Sequence, residues 1–304
     1  MQKKVTPVLV IHGGAWDIPD EEVQAHLDGI RKALDVGWGL LGRGKSALDV
    51  VEETVAAMED DVTFDAGRGS VLNTDGSVEM DASIMDGRTM DAGAVAALRN
   101  FPNPVRIARR VLENTEHILL AGPGCEVFAR QQGFHQVPVE QLLTPRELKR
   151  LESLIRDGTF KTPHAFGQKR GTVGAVAFDG NGHIAAATST GGTPKKIPGR
   201  VGDSPLIGCG TYAENGVGGV SCTGWGESII QVMLAREVAE RMRSHKDAQQ
   251  AAESGIRVLR RRVQGLGGVI CIDAGGQMGI SFNTPRMARG YMQEGMKEPS
   301  TAIE

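Results

Sequence analysis

One threonine stands where two chemistries are open to it. In Lys169-Arg170-Gly171-Thr172-Val173-Gly174-Ala175-Val176, Thr172 follows a glycine at the point where a charged, unpatterned stretch gives way to an apolar one. Within an intact chain it reads as the β-branched first residue of a strand. Were the chain cut before it, the freed α-amine, with an ordinary pKa of about 7.7–8.0, would serve as base for the hydroxyl of the same residue. No histidine adjacent in sequence offers that service. Other constellations are weaker. His12, His26, His117, His135, His164, His183 and His245 show no metal-ligand spacing. Gly37-Trp38-Gly39-Leu40-Leu41-Gly42 matches G-x-G-x-x-G, but late in a helical pattern instead of between a strand and a helix, where a dinucleotide fingerprint must lie. No G-x-S-x-G run occurs.

The elements that must position Thr172 are legible in outline. Thr172 to Phe178 and Ile184 to Thr188 read as two strands joined across Asp179-Gly180-Asn181-Gly182. Val8 to Ile11 predicts a buried strand ended by a turn at His12-Gly13-Gly14. Leu27, Ile30, Leu34 and Leu41 recur at helical spacing, as do Leu48, Val51, Val55 and Met58, the latter set opening at Ser46 with Asp49 three residues on. Turns at Asp75-Gly76 and Asp86-Gly87 flank short β-like pieces, a strand spans Ala92 to Leu98, and Asn103-Pro104 opens a helix. Gly133 closes the helix after Pro123. Thr144 to Gly171 holds ten charged residues in 28 and predicts a short surface helix followed by a mobile connector. Helices over Glu227–Met242 and Asp247–Val263, and a hairpin joining Val269–Ile272 to Met278–Phe282, complete the chain. Helices and hairpins segregate, which favours an α+β fold over a parallel sheet.

Further blocks lie in order around Thr172. They are Ile11-His12-Gly13-Gly14-Ala15, Phe64-Asp65-Ala66-Gly67-Arg68-Gly69-Ser70 and Met80-Asp81-Ala82-Ser83-Ile84-Met85-Asp86-Gly87 before it. After Gly171-Thr172-Val173-Gly174-Ala175-Val176 come Ala187-Thr188-Ser189-Thr190-Gly191-Gly192, Pro198-Gly199-Arg200-Val201-Gly202-Asp203-Ser204-Pro205, Ser221-Cys222-Thr223-Gly224-Trp225-Gly226-Glu227 and Phe282-Asn283-Thr284. Over nearly its whole length the chain resembles the plant-type (type III) L-asparaginases, which are also isoaspartyl peptidases of the N-terminal-nucleophile hydrolase class. The resemblance implies a single catalytic domain over 1–304 with a four-layer αββα sandwich. It implies self-cleavage between Gly171 and Thr172 into an α chain, 1–171, and a β chain, 172–304, with Thr172 as nucleophile. Thr190 would orient it, and Thr223 and Gly224 would form the oxyanion hole. Arg200, Val201, Gly202, Asp203, Thr223, Gly224, Trp225 and Gly226 would bind substrate, the arginine gripping an α-carboxylate through two hydrogen bonds and the aspartate an α-ammonium. That leaves a side-chain amide of L-asparagine, or the β-linkage of an isoaspartyl dipeptide, pointing at the nucleophile.

The resemblance further implies a structural sodium ion on backbone carbonyls of the loop through Met58, Glu59, Asp61, Phe64, Ala66 and Arg68, although on residue types alone a plain loop reads equally well. It implies no cofactor for catalysis and a homodimer of αβ units. Two positions depart from the pattern. Asp65 stands where the family commonly has asparagine, and Trp225 where small or polar residues are usual. Both bear on substrate preference more than on reaction class. Glycosylasparaginase is a rival cousin, usually with aspartate before the threonine, and a non-catalytic glycine-rich binding protein is a rival of another class.

Composition agrees with the exclusions. Of 304 residues 41 are glycine, about twice the usual share, and 14 of these lie between Gly171 and Gly224. A net charge of −3 without a basic stripe gives no footprint for nucleic acid or an anionic membrane. Cys125, Cys209, Cys222 and Cys271 make no C-x-x-C pair or disulfide framework, and the first residues carry no signal-peptide core. A cytoplasmic setting is expected.

Overall fold

The computed structural model describes residues 5–156, 171–245 and 247–304; the latter part of the predicted connector, 157–170, lies outside them. Strand β1 (Val8–Trp16) is followed by helices α1 (Asp20–Gly42) and α2 (Ala47–Glu59), strands β2 (Met80–Asp86) and β3 (Ala92–Leu98), and helix α3 (Pro104–Asn114). Then come β4 (Leu119–Ala121), α4 (Gly122–Gln131), α5 (Pro145–Arg156), and the hairpin β5 (Val173–Phe178) and β6 (Ile184–Thr190). The remainder is β7 (Thr211–Glu214), β8 (Gly218–Gly224), α6 (Gly226–Val232), α7 (Leu234–His245), α8 (Ala248–Val263), β9 (Gly267–Asp273), β10 (Met278–Phe282), β11 (Arg286–Gln293) and β12 (Ser300–Ala302).

Two stacked sheets organise these elements. One runs β12-β11-β1-β5-β6-β2-β3-β4, antiparallel except for the β3–β4 pair, and the other runs β10-β9-β8-β7. The fold is α+β. Strand β1 is buried along its whole length, so its alternation divides two apolar interiors instead of core from solvent. Leu9 and Ile11 join Val173 and Ala175 in a cluster with residues of α1, α2 and α3. Val8 and Val10 join Val176, Ala186, Val220 and Ile270 in a second cluster, between the sheets, that also takes in Val238 of α7 and Leu259 of α8.

Many predicted boundaries match the structure. Ser46 caps α2, its Oγ accepting from the Asp49 N–H at 3.2 Å, and Asp247 caps α8 through the Gln250 N–H at 2.9 Å. Others differ for physical reasons. The strand expected to end at Ile11 continues to Trp16, because Gly13 and Gly14 form a bulge that shifts the register between His12 and Ala15 without ending the strand. The long helix expected over Glu227–Met242 is broken at Met233, whose φ of 50° is left-handed. Around Asp75-Gly76 there is a turn, with the Asn73 N–H donating to Ser77 O at 2.9 Å, but no flanking strands. Strands β7, β8, β11 and β12 lie in stretches whose glycines and charges dilute any period-two pattern.

Candidate active site

Thr172 precedes β5 and Thr190 ends β6, so hairpin pairing sets them side by side. The Val173↔Ser189 register places the two threonines at the same end of the sheet, and Thr172 Oγ1 donates to Thr190 Oγ1 at 3.2 Å. Thr190 Oγ1 also accepts from the Gly192 N–H at 3.0 Å, which holds it as an acceptor facing Thr172. Thr223, near the end of β8, comes from the other sheet; its Oγ1 accepts from the Ala15 N–H at 3.3 Å. Thr172, Thr193, Thr223 and Gly224 line one narrow cleft with Ala15 and Gly192. Three threonines distant in sequence are thereby brought to one place.

The backbone before Thr172 is packed against the β1 bulge. Gly14 has φ of 111°, and a Cβ on it would lie 2.1 Å from the Gly171 Cα. A Cβ on Gly171 would in turn lie 2.4 Å from Gly13 O. Both positions therefore exclude any larger residue, which gives a packing reason for glycine, and not aspartate, ahead of Thr172.

Arg200 and Asp203 converge beside Gly226. Arg200 Nη2 and Asp203 Oδ1 come within 2.8 and 2.9 Å of the point a Cβ on Gly226 would occupy. The Arg200 guanidinium is held edge-on by Glu227, Nε to Oε1 and Nη2 to Oε2, both at 2.9 Å. Burial would raise the Glu227 carboxyl, and the Arg200 bond and charge outweigh it, holding it below its ordinary value. Asp203 is fully buried, and its Oδ2 has no hydrogen-bond partner among the described residues. That desolvation pushes its carboxyl up to about 7, against the pull of Arg200. An unsatisfied carboxylate beside a fixed guanidinium is the arrangement a zwitterionic ligand would complete.

Comparison with known proteins follows the same lines. A family model described as Asparaginase matches residues 5–301. An isoaspartyl peptidase/L-asparaginase of Xenopus laevis is 46% identical over 282 residues, 93% of this chain and 91% of the relative. One of Homo sapiens is 44% identical over 293 residues, 96% and 94% of the two chains. A plant-type L-asparaginase of Thermococcus kodakarensis is 45% identical over 308 residues, 97% and 99% of the two chains. The chain belongs to the asparaginase family.

Around the asparaginase-family site stand supporting groups to which the sequence reading gave no role. Asp81, fully buried, accepts from the Ala97 N–H at 2.9 Å and from the Gly202 N–H at 3.2 Å, tying the Arg200–Asp203 loop to β2 and β3. Glu79 accepts from the Gly199 N–H at 2.7 Å and from the Arg99 guanidinium. The buried Lys196 ammonium donates to Glu79 O at 2.6 Å, and burial lowers its pKa. Each of these was visible as a charged residue in an otherwise apolar or glycine-rich block, the only signal that could have marked it. Val201 is half-buried, while Trp225 starts α6 with its N–H donated to Leu266 O at 3.0 Å.

Asp65 lies against the Gly191–Gly192 turn that leaves Thr190. Its carbonyl accepts from the Gly191 N–H at 2.9 Å, and its Oδ1 accepts from the Val71 N–H at 2.9 Å. The loop from Met58 to Arg68 curls on itself, with the Arg68 N–H donating to Glu59 O at 2.8 Å. The carbonyls of Val62 and Phe64 both turn to within 2.7 Å of where a Gly69 side chain would stand. The Glu59 side chain, buried beneath, accepts from the Val105 N–H at 3.0 Å, and burial pushes its carboxyl up to about 8. Among the described residues no group of three or more His, Cys, Asp or Glu could hold a metal ion, and no described helix is long and apolar enough to cross a membrane.

Proposed function

We propose that this chain cuts itself between Gly171 and Thr172 and then hydrolyses the side-chain amide of L-asparagine and the β-linkage of isoaspartyl dipeptides. The observation that carries the reading is the buried Thr172 hydroxyl, bonded to Thr190 and sharing a cleft with Thr223 and Gly224. The printed names of the relatives, isoaspartyl peptidase/L-asparaginase, supply the two substrate classes.

Cleavage converts the Thr172 nitrogen from an amide into an amine that is partly unprotonated at neutral pH. The substrate's α-carboxylate lies on Arg200 and its α-ammonium on Asp203. Thr172 Oγ1 attacks the side-chain carbonyl carbon and its proton passes to the Thr172 amine. The Thr223 hydroxyl and the Gly224 N–H stabilise the developing oxyanion. The amine returns the proton to the leaving nitrogen, releasing ammonia or an amino acid. Water, deprotonated by the same amine, then hydrolyses the β-aspartyl ester and regenerates Thr172. Glu227 fixes the guanidinium plane before substrate arrives, so less ordering remains to be done on binding.

The α chain, 1–171, and β chain, 172–304, remain one unit in this reading, as a four-layer αββα sandwich of the N-terminal-nucleophile type. The carbonyls of the Met58–Arg68 loop would hold a structural sodium ion, which takes no part in catalysis. Two αβ units would pair as a homodimer in the cytoplasm. The packing of Gly171 against Gly13 and Gly14 favours this branch over a glycosylasparaginase with aspartate at that junction. Ammonia release from L-asparagine, set beside hydrolysis of an isoaspartyl dipeptide by the cleaved protein, tests the proposal. Turnover of either supports it, and turnover of neither overturns it.

A further inference from the structure

Behind Thr172, between the two sheets, runs a row of polar side chains that the reaction does not use. His12 of β1, Ser83 of β2, Thr188 of β6, Thr211 of β7 and Ser221 of β8 are all fully buried. They form a continuous chain. Ser83 Oγ lies 2.8 Å from Thr211 Oγ1, Thr211 Oγ1 lies 2.6 Å from Thr188 Oγ1, and Thr188 Oγ1 lies 2.7 Å from Ser221 Oγ. Ser221 Oγ is then 2.8 Å from His12 Nε2, and His12 Nδ1 is 2.9 Å from the carbonyl oxygen of Thr172. Gly174 makes the room: a Cβ there would lie 2.0 Å from Ser221 Oγ and 2.4 Å from His12 Nε2.

The protons of this chain can be assigned from its ends. A carbonyl oxygen only accepts, so His12 Nδ1 carries the hydrogen. Burial pushes the imidazole down to about 3, so it is neutral at any working pH and its Nε2 is an acceptor. Ser221 must then donate to His12, Thr188 to Ser221, and Thr211 to Thr188. The Ser83 hydroxyl, within reach of both Thr211 Oγ1 and Ser204 O at 2.6 Å, closes the row. The Thr211, Thr188 and Ser221 hydroxyls point one way, toward Thr172, and each polarises the next, while the Ser83 hydrogen goes to Ser204 O.

We propose that this row is a positioning relay, in which His12, Ser221 and Thr188 fix the Thr172 carbonyl from behind and so orient a residue whose amine and hydroxyl do the chemistry. The relay rests on Thr172 being the nucleophile. Its use appears once the preceding peptide bond is cut. A new N-terminal residue has lost one of its two covalent tethers. Its carbonyl is then held by His12 and its hydroxyl by Thr190, which leaves the amine one place to go. None of the three relay residues touches substrate.

Thr188→Val and Thr188→Ser separate the relay from packing. Valine keeps the shape and removes the hydroxyl, whereas serine keeps the hydroxyl and removes a methyl. The relay predicts that Thr188→Val lowers kcat on L-asparagine by roughly tenfold or more with KM changed less than about twofold, and slows self-cleavage, while Thr188→Ser stays within about twofold of the unsubstituted enzyme. Equal losses in both variants, or none in either, overturn it. A second measurement needs no variant and no turnover. Nitrogen-15 NMR of the unsubstituted protein should show His12 neutral, with hydrogen on Nδ1 and none on Nε2; the opposite tautomer or an imidazolium overturns the relay. If the unsubstituted enzyme turns over neither substrate, the proposed function fails, while the tautomer and the self-cleavage rates still decide the relay.

Discussion

Asp203→Asn tests the substrate site through the pH dependence of its effect. The asparagine keeps the shape of the side chain and removes the charge meant for an α-ammonium. In the unsubstituted protein the buried carboxyl lies at about 7, so it is about nine-tenths ionised at pH 8 and about one-tenth at pH 6. Losing one partner of a buried, hydrogen-bonded charge pair costs about 3 kcal/mol, or roughly 150-fold in kcat/KM, where the pair is fully formed. At pH 6 the unsubstituted enzyme has itself lost about tenfold, because Asp203 has taken up a proton. The deficit of Asp203→Asn should therefore shrink to roughly 15-fold at pH 6 and to about twofold near pH 5. Titration of the Thr172 amine affects both enzymes alike and cancels in the ratio. The assay is ammonia release from L-asparagine across pH 5–8.5, read as the ratio of kcat/KM values. A ratio independent of pH, or an unimpaired variant, refutes the assignment of Asp203.

Two further substitutions read other parts of the site. Glu227→Gln removes the charge that holds the Arg200 guanidinium edge-on; Glu227 is half exposed, so the loss is modest, about 1–2 kcal/mol or roughly tenfold in KM with kcat little changed. A fall in kcat at constant KM would speak against a ground-state positioning role. Glu59, at about 8 in the fold against 4.5 as its ordinary value, binds a proton more readily folded than unfolded. Its contribution to stability is therefore complete below about 4.5 and is lost as pH rises toward 8. Melting temperature should fall less between pH 5 and 8 in Glu59→Gln than in the unsubstituted protein, and parallel slopes in the two would contradict the burial argument.

Local signals carried further in this chain than long-range ones. Ser46 with Asp49, Asp179–Gly182 and Ala92 to Leu98 are short-range patterns, and the corresponding cap, hairpin and strand form where those patterns place them. The Thr172–Thr190 pair came from the resemblance, since the strand read from the residues stopped at Thr188; in the structure the hairpin register brings the two together. The bulge at Gly13-Gly14 was not legible. Whether two glycines end a strand or kink it depends on what packs there, and here that is Gly171, far along the chain. The inter-sheet row was equally hidden, because Ser, Thr and His in strands of small residues look like solvent-facing positions until a second sheet covers them. Met233 broke a sound helical pattern through its own backbone angle, which no periodicity reports. Arg200 was recognised as a ligand for an anion, but its existing anion, Glu227, stands 27 residues away.

The central claim is that Thr172 becomes an N-terminal nucleophile, and the intact mass of the purified protein tests it most directly. Two species, of 171 and 133 residues, starting at Met1 and Thr172, are predicted for the unsubstituted protein, with asparagine hydrolysis following their appearance. Thr172→Ala should remain a single uncut chain without turnover. A Thr172→Ala protein that is cleaved and active, or an unsubstituted chain that turns over L-asparagine while uncut, would contradict the account.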